Sequence, residues 1–209
     1  MAIKDEIKKA LVELRKNKER KFEQSVDLII NLQKYELKKN QLNLFVAMPH
    51  PIGKKKIAGF IDSKNDLIDT IPKSAFLKYK DAKEVKKLAD KYEFFIADAK
   101  LMPAVASTFG RVLGPTGKMP SPQMGILMNP DEKSLKDLIE KINRSIKIRN
   151  KEPSVKVKIA TEKMNDEDII ENYLAIYNAV LKGLAKGIEN VKNLEIKFTM
   201  TKPIKIQVR

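Results

Sequence analysis

Residues 92–97 read YEFFIA, a short run that is apolar at almost every position. Helical patterns precede it at Lys83–Lys91 and follow it from about Met102 to Val112. A second apolar run, Ile57–Ile61, lies upstream. Strands that are apolar on both faces and alternate with helices are typical of a parallel sheet covered on two sides. The middle of the chain is therefore predicted to be a Rossmann-like α/β domain, although it lacks the G-x-G-x-x-G fingerprint of dinucleotide binding.

The two ends of the chain share a different pattern, in which amphipathic helices alternate with half-buried strands. In the strand type, apolar and polar residues alternate strictly, as in SVKVKI at 154–159. Asn165 is a plausible helix N-cap, and the helix that it begins runs to about Lys186. Further predicted strands are 22–32, 44–48, 145–149, 194–198 and 204–208. Such alternation is typical of an antiparallel sheet with one face on the core.

The simplest interpretation is a discontinuous terminal domain with the α/β domain inserted into it. Residues 1–54 and 153–209 form the terminal domain, which is of α+β type with an antiparallel sheet, and residues 55–152 form the insert. The basic run Lys54-Lys55-Lys56 marks the first boundary, and the strand at 145–149 falls inside the insert.

Composition narrows the class of protein. The chain has 209 residues, a formal net charge of +15 and a hydrophobic fraction of 43%. The hydrophobic fraction indicates a folded protein, and the charge favours a polyanionic partner, nucleic acid ahead of an anionic membrane. The alternative is a solvated lysine-rich surface, but such surfaces usually balance lysine with glutamate. The absence of cysteine excludes disulfides, and no stretch resembles a secretory signal or a membrane span, so we expect a soluble, cytosolic protein.

The stretch FGRVLGPTGKMPSPQMG at 109–125 holds four glycines and three prolines. Glycine permits unusual backbone angles and proline removes a hydrogen-bond donor, so an ordered basic loop is predicted there rather than a regular helix. A phosphate-binding P-loop is disfavoured, because Val112 replaces its first glycine and Met119 its Ser/Thr. Gly114–Gly117 matches the GXXG of a KH domain, but the prolines that follow oppose the helix required there.

Two roles of this loop stay open. It could present Arg111 and Lys118 to a phosphate backbone as secondary RNA contacts, or it could only pack at a domain interface.

Enzymatic chemistry and metal binding find no support in the residues. His50 is the single histidine and has no local Ser or Cys partner motif, which disfavours catalysis and a zinc site. The carboxylates at 166–168 and Glu171 could suggest a metal cluster, but a helix start explains them better. We therefore predict no catalytic residue, no metal and no cofactor.

RNA binding has several candidate residues near the ends of the terminal strands. They are Lys21, Phe22, Lys163, Thr199, Met200, Thr201 and Lys202. Hydroxyls can bond 2′-OH groups and base edges, and phenylalanine and methionine can pack on sugars or bases. For Phe22 and Met200 the alternative is a place in the hydrophobic core.

Five segments, in order along the chain, resemble the L1 family of ribosomal proteins, the mobile-stalk protein of the large subunit. They are KFEQSVDL at 21–28, FFIADAKLMP at 94–103, LGPTGKMPSP at 113–122, EKMND at 162–166 and FTMTKP at 198–203. The third is highly specific, and the EKM segment and compact length resemble archaeal members. The resemblance implies a terminal domain of split β-α-β topology with a Rossmann-like insert.

The resemblance also implies a function. Members bind stalk rRNA near the exit of deacylated tRNA, with which they make transient contact, and many repress translation of their own mRNA. A cytoplasmic, ribosome-bound protein that is monomeric when free is expected. By matching motif positions, the RNA surface includes Lys21, Phe22, Ser25, Lys163, Thr199 and Met200, with Thr201 beside them. Family members commonly have glycine where this chain has Thr201, and often arginine where it has Thr116, so a threonine at 201 must point away from RNA or shift the contact.

Overall fold

A computed structural model describes residues 2–18, 20–37, 40–63, 65, 67–79, 81–128 and 131–207. The helices are α1 (Ala2–Arg15), α2 (Ala82–Lys91), α3 (Met102–Thr116), α4 (Glu132–Asn143) and α5 (Asp166–Gly183). The strands are β1 (Ser25–Leu32), β2 (Asn43–Ala47), β3 (Ile57–Phe60), β4 (Asp69–Thr70), β5 (Phe94–Asp98), β6 (Ile126–Leu127), β7 (Ser145–Arg149), β8 (Ser154–Thr161), β9 (Val191–Phe198) and β10 (Ile204–Ile206). Val208, the end of the last predicted strand, lies outside the described residues.

The chain divides into two compact units. One comprises the residues up to Ile52 together with those from Arg144 onward, and the other comprises Gly53–Asn143. No helix in the described ranges is long and apolar enough to cross a membrane.

The terminal unit is built on a four-stranded antiparallel sheet of order β10-β9-β1-β8. Both β8 and β9 run antiparallel to β1, which lies between them, and α5 connects them along the chain. This is the expected split β-α-β topology. Alternate residues of β1 are buried, and α1 and α5 cover that face of the sheet.

The second domain boundary differs from the expected one by nine residues. The sequence predicts residues 145–149 to lie in the insert, but this strand, β7, pairs with β2 of the terminal unit along its whole length. Ile148 is buried in the same core as Val46. The insert therefore ends at Asn143 instead of residue 152, because a partner about a hundred residues upstream holds β7 in the terminal unit.

The inserted unit contains a parallel sheet of order β4-β3-β5-β6. The predicted strand in YEFFIA is β5, and its residues are buried on both sides: Phe95 and Ala97 pack in the core with α2 and α3, while Ile96 packs with α4 residues such as Leu135. The Rossmann-like parallel architecture is confirmed.

The prediction of a loop from residue 109 is wrong for its first half, because α3 continues to Thr116. Val105, Phe109 and Leu113 are fully buried along one stripe of this helix. Gly110 and Gly114 face open space. Two glycines cost a helix about 1 kcal/mol each and Pro115, inside its last turn, costs about 3 kcal/mol, whereas burying three large side chains gains about 1.5–3 kcal/mol each, so burial offsets the propensity.

The glycine at the end of the motif terminates α3. Gly117 has φ of 75°, its N–H donates to Gly114 O at 3.0 Å, and the Lys118 N–H donates to Leu113 O at 3.0 Å. These two bonds form a Schellman motif, which requires the left-handed angle that glycine adopts freely. The GXXG sequence is thus a helix C-terminus, and it does not form the clamp of a KH domain.

Candidate RNA interface

Three segments far apart in sequence meet at one end of the terminal sheet. They are the start of β1 with the residues before it, the turn between β8 and α5, and the turn between β9 and β10. Ser25 lies opposite Thr161 on β8, and Val26 lies opposite Phe198 on β9. Antiparallel neighbours place their last residues beside the first residues of β1. The structure therefore brings together six of the residues predicted from sequence, which we call the sheet-end surface: Lys21, Phe22, Ser25, Lys163, Thr199 and Met200.

Ser25 and Thr199 hold two of these segments together. The Thr199 N–H donates to Ser25 O at 3.1 Å, and the Ser25 N–H donates to Thr199 Oγ1 at 2.9 Å. The two hydroxyls are 3.0 Å apart, and the Ser25 hydroxyl also donates to Asp27 Oδ1 at 3.1 Å. A hydroxyl has one donor and two acceptor positions. The Thr199 hydroxyl donates to Ser25 O at 3.5 Å and accepts the Ser25 N–H, so one acceptor position is left for a ligand.

Gln24, which is not among the predicted site residues, connects all three segments. Its side chain is buried, Oε1 accepts the Met200 N–H at 3.2 Å, and Nε2 donates to Glu162 Oε2 at 3.3 Å. Its backbone O accepts the Glu162 N–H at 2.9 Å. The sequence contains one indication of this role. Gln24 lies two residues before the buried Val26, so it falls on the buried side of the alternating strand pattern although it is polar.

Arg15, at the end of α1, fixes the turn that carries Lys163. Its guanidinium donates to the backbone oxygens of Glu162 at 3.1 Å and Met164 at 3.2 Å, and to Asp166 Oδ1 at 2.6 and 3.1 Å. A planar guanidinium suits such multiple bonding better than an ammonium. No local motif in the sequence marked this residue, because its partners lie about 150 residues away.

Phe22 and Met200 are on the surface, which excludes the core alternative for both. Phe22 is 51% exposed and Met200 is 57% exposed. Phe22 lies two residues before the buried Gln24, and Met200 follows Thr199, which is hydrogen-bonded to Ser25. Exposed apolar side chains on a fixed frame are suited to stacking or packing against a ligand.

The charges beside these apolar groups are mostly positive. Lys163 is exposed, and its ammonium is 3.9 Å from Glu23 Oε2, outside hydrogen-bond distance. Lys21 is also exposed. A groove of about 330 Å³ lies between the residues that precede β1 and the turn between β8 and α5. It is lined by Arg20, Lys21, Phe22, Glu23, Glu162 and Lys163.

Thr201 turns its side chain back onto its own turn. Its Oγ1 accepts the Phe198 N–H at 2.9 Å, and its N–H donates to Phe198 O at 3.1 Å. The threonine thereby provides a second closing bond for the turn, and its side chain is directed to the backbone of β9.

Arg111 and Lys118 lie in the inserted unit. Arg111 is exposed on α3. Lys118 is committed to the fold, because its ammonium donates to Ala89 O at 2.6 Å and Tyr92 O at 2.9 Å at the C-terminal end of α2. A cation there also opposes the negative end of the helix dipole.

Asp166, Asp168 and Glu171, in the first turns of α5, have structural partners. Asp166 pairs with Arg15, and His50 Nε2 lies 2.8 Å from Glu171 Oε2 and 3.6 Å from Asp168 Oδ1. Within the described part of the chain, no group of three or more His, Cys, Asp or Glu residues could hold a metal ion.

Comparison with known proteins identifies a family and relatives of this chain. The model of the ribosomal protein L1p/L10e family matches residues 14–202. The large ribosomal subunit protein uL1 of Methanothermococcus thermolithotrophicus is 38% identical, covering 98% of this chain and 99% of that protein. The protein of the same name from Thermococcus kodakarensis is 36% identical over 91% of each chain. That of Pyrococcus horikoshii is 34% identical over 91% of this chain and 90% of its own.

Proposed function

The chain belongs to the ribosomal protein L1p/L10e family, and on that premise we propose that its sheet-end surface binds the stalk rRNA of the large ribosomal subunit. Its relatives are large-subunit ribosomal proteins, and the chain is likewise a structural ribosomal protein and not an enzyme.

One observation carries the proposal: Phe22 and Met200 stand exposed on segments that are hydrogen-bonded to each other, and Lys21 and Lys163 line a groove together with Phe22. Exposed apolar surface costs free energy in a free protein, so a ligand that covers it is favoured. The net charge of +15 selects a polyanion. RNA satisfies both requirements, because its bases and sugars offer flat apolar faces and its phosphates offer charge.

The contacts divide into two classes. Lys21 and Lys163 neutralise phosphates, which gives affinity that falls with salt and carries little sequence information. Phe22 and Met200 pack on unstacked bases or sugars, and the Thr199 hydroxyl bonds a 2′-OH, which distinguishes RNA from DNA. Selectivity therefore comes from the shape of the RNA around the sheet end.

The finer physiological role follows from the same chemistry. A surface that recognises backbone shape and a few unstacked bases accepts any RNA with that local fold, so a segment of the protein's own mRNA with this fold is bound and its translation repressed. On the ribosome, the protein contacts deacylated tRNA transiently and assists its release. The protein is cytoplasmic and ribosome-bound, and is a monomer when free.

Substitution within the β9–β10 turn tests this function. Met200→Ala or Thr199→Ala is expected to weaken binding of a stalk-rRNA fragment by about 1–3 kcal/mol, the scale of one specific contact. Filter binding at a fixed salt concentration measures the change. Leu77→Ala, which removes a 71%-exposed side chain from the inserted unit, is the matched control and should leave affinity unaltered. Unchanged affinity in both turn variants would refute the proposed surface.

A further inference from the structure

The groove beside the sheet-end surface contains two carboxylates that phosphate binding does not explain. Arg20, Lys21 and Lys163 line it, and so do Glu23 and Glu162. A carboxylate repels a phosphate backbone, and within the described ranges only one oxygen of Glu162 is used in the fold, as the acceptor for Gln24, so the other carboxylate oxygens are available to a different group of the ligand. The groove volume of about 330 Å³ falls in the range of small-ligand sites.

Glu162 is held rigidly but retains an unoccupied oxygen. Its N–H donates to Gln24 O and its backbone O accepts from Arg15, so the main chain is fixed on both sides. Oε2 accepts from the Gln24 side chain at 3.3 Å and from the Gln24 N–H at 3.4 Å. Oε1 accepts no hydrogen bond from the residues that the structure describes, although Glu162 is only partly exposed.

Glu23, on the other segment of the groove, is also available. Its only ion pair among the described residues is the loose one with Lys163 at 3.9 Å. The groove thus presents acceptor oxygens from two segments, and Phe22 supplies an exposed aromatic ring in the same lining.

This combination matches the chemistry of one base. The Watson–Crick edge of guanine carries two adjacent donors, N1–H and N2–H₂. Adenine and cytosine present a ring-nitrogen acceptor at the centre of that edge, and uracil flanks its one donor with carbonyl oxygens, so each of these is repelled by a carboxylate. Single-stranded RNA is read by stacking a splayed base on an aromatic ring and bonding its edge.

We propose that this groove takes one unstacked guanine of the bound RNA, with its ring on Phe22 and its Watson–Crick donors directed to Glu162 and Glu23. The inference rests on the proposed function and names the base that the same site selects. Glu162 is then a residue that determines specificity, and the three cations bind the phosphates on either side of the guanine.

A pool of RNA hairpins with a randomised internal loop tests the proposal. The full-length chain is incubated with the pool, and the retained RNA is sequenced. Wild-type protein should enrich an unpaired guanine at one loop position by about tenfold, since a good pair to a base edge gives 1–3 kcal/mol of discrimination. Glu162→Gln keeps an acceptor for Gln24 but loses the charge, so the enrichment should fall below about threefold. Glu189→Gln, an exposed control at the other end of the sheet, should retain it.

Base analogues at the enriched position give a second readout. Inosine lacks the N2 amine and should bind about tenfold more weakly, whereas 7-deazaguanine has an unaltered Watson–Crick edge and should bind like guanine. Retention of RNA without guanine enrichment, or equal enrichment by Glu162→Gln, contradicts this inference alone. If the wild-type chain retains neither the pool nor the stalk fragment, the proposed function fails as well.

Discussion

Gln24 is buried, yet all three segments of the sheet-end surface depend on it. Its amide accepts the Met200 N–H and donates to Glu162, and its backbone oxygen accepts the Glu162 N–H. A buried amide is stable only when its donors and acceptors are satisfied. At the residue scale, the surface is therefore organised by a side chain that no solvent-facing ligand touches.

Gln24→Ala is expected to lower both stability and RNA affinity. The substitution leaves the Met200 N–H without its acceptor, which costs about 1–3 kcal/mol in the free energy of unfolding. Affinity for the stalk fragment should fall about tenfold, because the turn that presents Met200 loses its anchor. Urea denaturation and filter binding measure the two effects.

Gln33→Ala is the matched control for this variant. Gln33 follows the other end of β1 and donates to the Glu189 and Val191 oxygens. Its removal should leave RNA affinity unaltered. A destabilised Gln24→Ala protein that still binds RNA normally would restrict Gln24 to a role in folding.

At the element scale, helix α3 shows how burial overrides local propensity. The glycines and prolines of residues 109–125 predicted a loop, yet Phe109 and Leu113 continue the buried stripe of α3 and carry the helix to Thr116. The apolar pattern of β5 was predictable because both faces are buried, which a run of six residues already displays. The end of α3 was not predictable from its sequence. The low helix propensity of glycine is visible in the local sequence, whereas the burial that offsets it depends on packing against the sheet.

Lys118→Met should destabilise the inserted unit. The variant removes two hydrogen bonds to the end of α2 and should lower the free energy of unfolding by about 1–2 kcal/mol. Arg111→Met, on the exposed side of α3, should change it by less than about 0.5 kcal/mol. Thermal unfolding of both variants makes the comparison. Equal stability of the two proteins would show that the Lys118 contacts contribute nothing to the fold.

At the scale of the whole molecule, the discontinuous terminal unit creates the sheet-end surface. Residues from both ends of the sequence form it, since Ser25 bonds to Thr199 across 174 positions. The sequence predicted that the ends form one domain. Its residue chemistry also indicated five of the six surface residues, and the resemblance added Ser25. Neither the sequence nor the resemblance predicted the roles of Gln24 and Arg15 or the place of β7. Their partners lie about 100 to 180 residues away, and no local pattern indicates such contacts.

Deletion of the insert tests the domain boundaries and whether the terminal unit alone carries the RNA affinity. Joining Ile52 to Arg144 by a short glycine linker should give a folded protein, because Met48 N–H already bonds to Arg144 O at 2.7 Å beside the β2–β7 pair. We expect it to bind the stalk fragment within about fivefold of the full chain, a difference of about 1 kcal/mol. Extending the deletion to residue 152 also removes β7. We expect that protein to show no cooperative unfolding transition, because its terminal unit does not fold. Loss of tight binding by the folded shorter deletion would mean that the terminal unit does not carry the affinity.

The most direct test of the central claim is the stalk-RNA affinity of the Phe22→Ala/Met200→Ala double variant, measured against Ile188→Ala. Ile188 is 58% exposed and lies before β9, at the end of the sheet away from the sheet-end surface. Base stacking contributes about 1–3 kcal/mol per base, so the double variant should bind at least thirtyfold more weakly, a loss of about 2 kcal/mol, while Ile188→Ala binds normally. The dependence of affinity on salt should be unchanged, because no lysine is removed. Affinity of the folded double variant within twofold of the wild type would contradict the assignment of this surface as the RNA site.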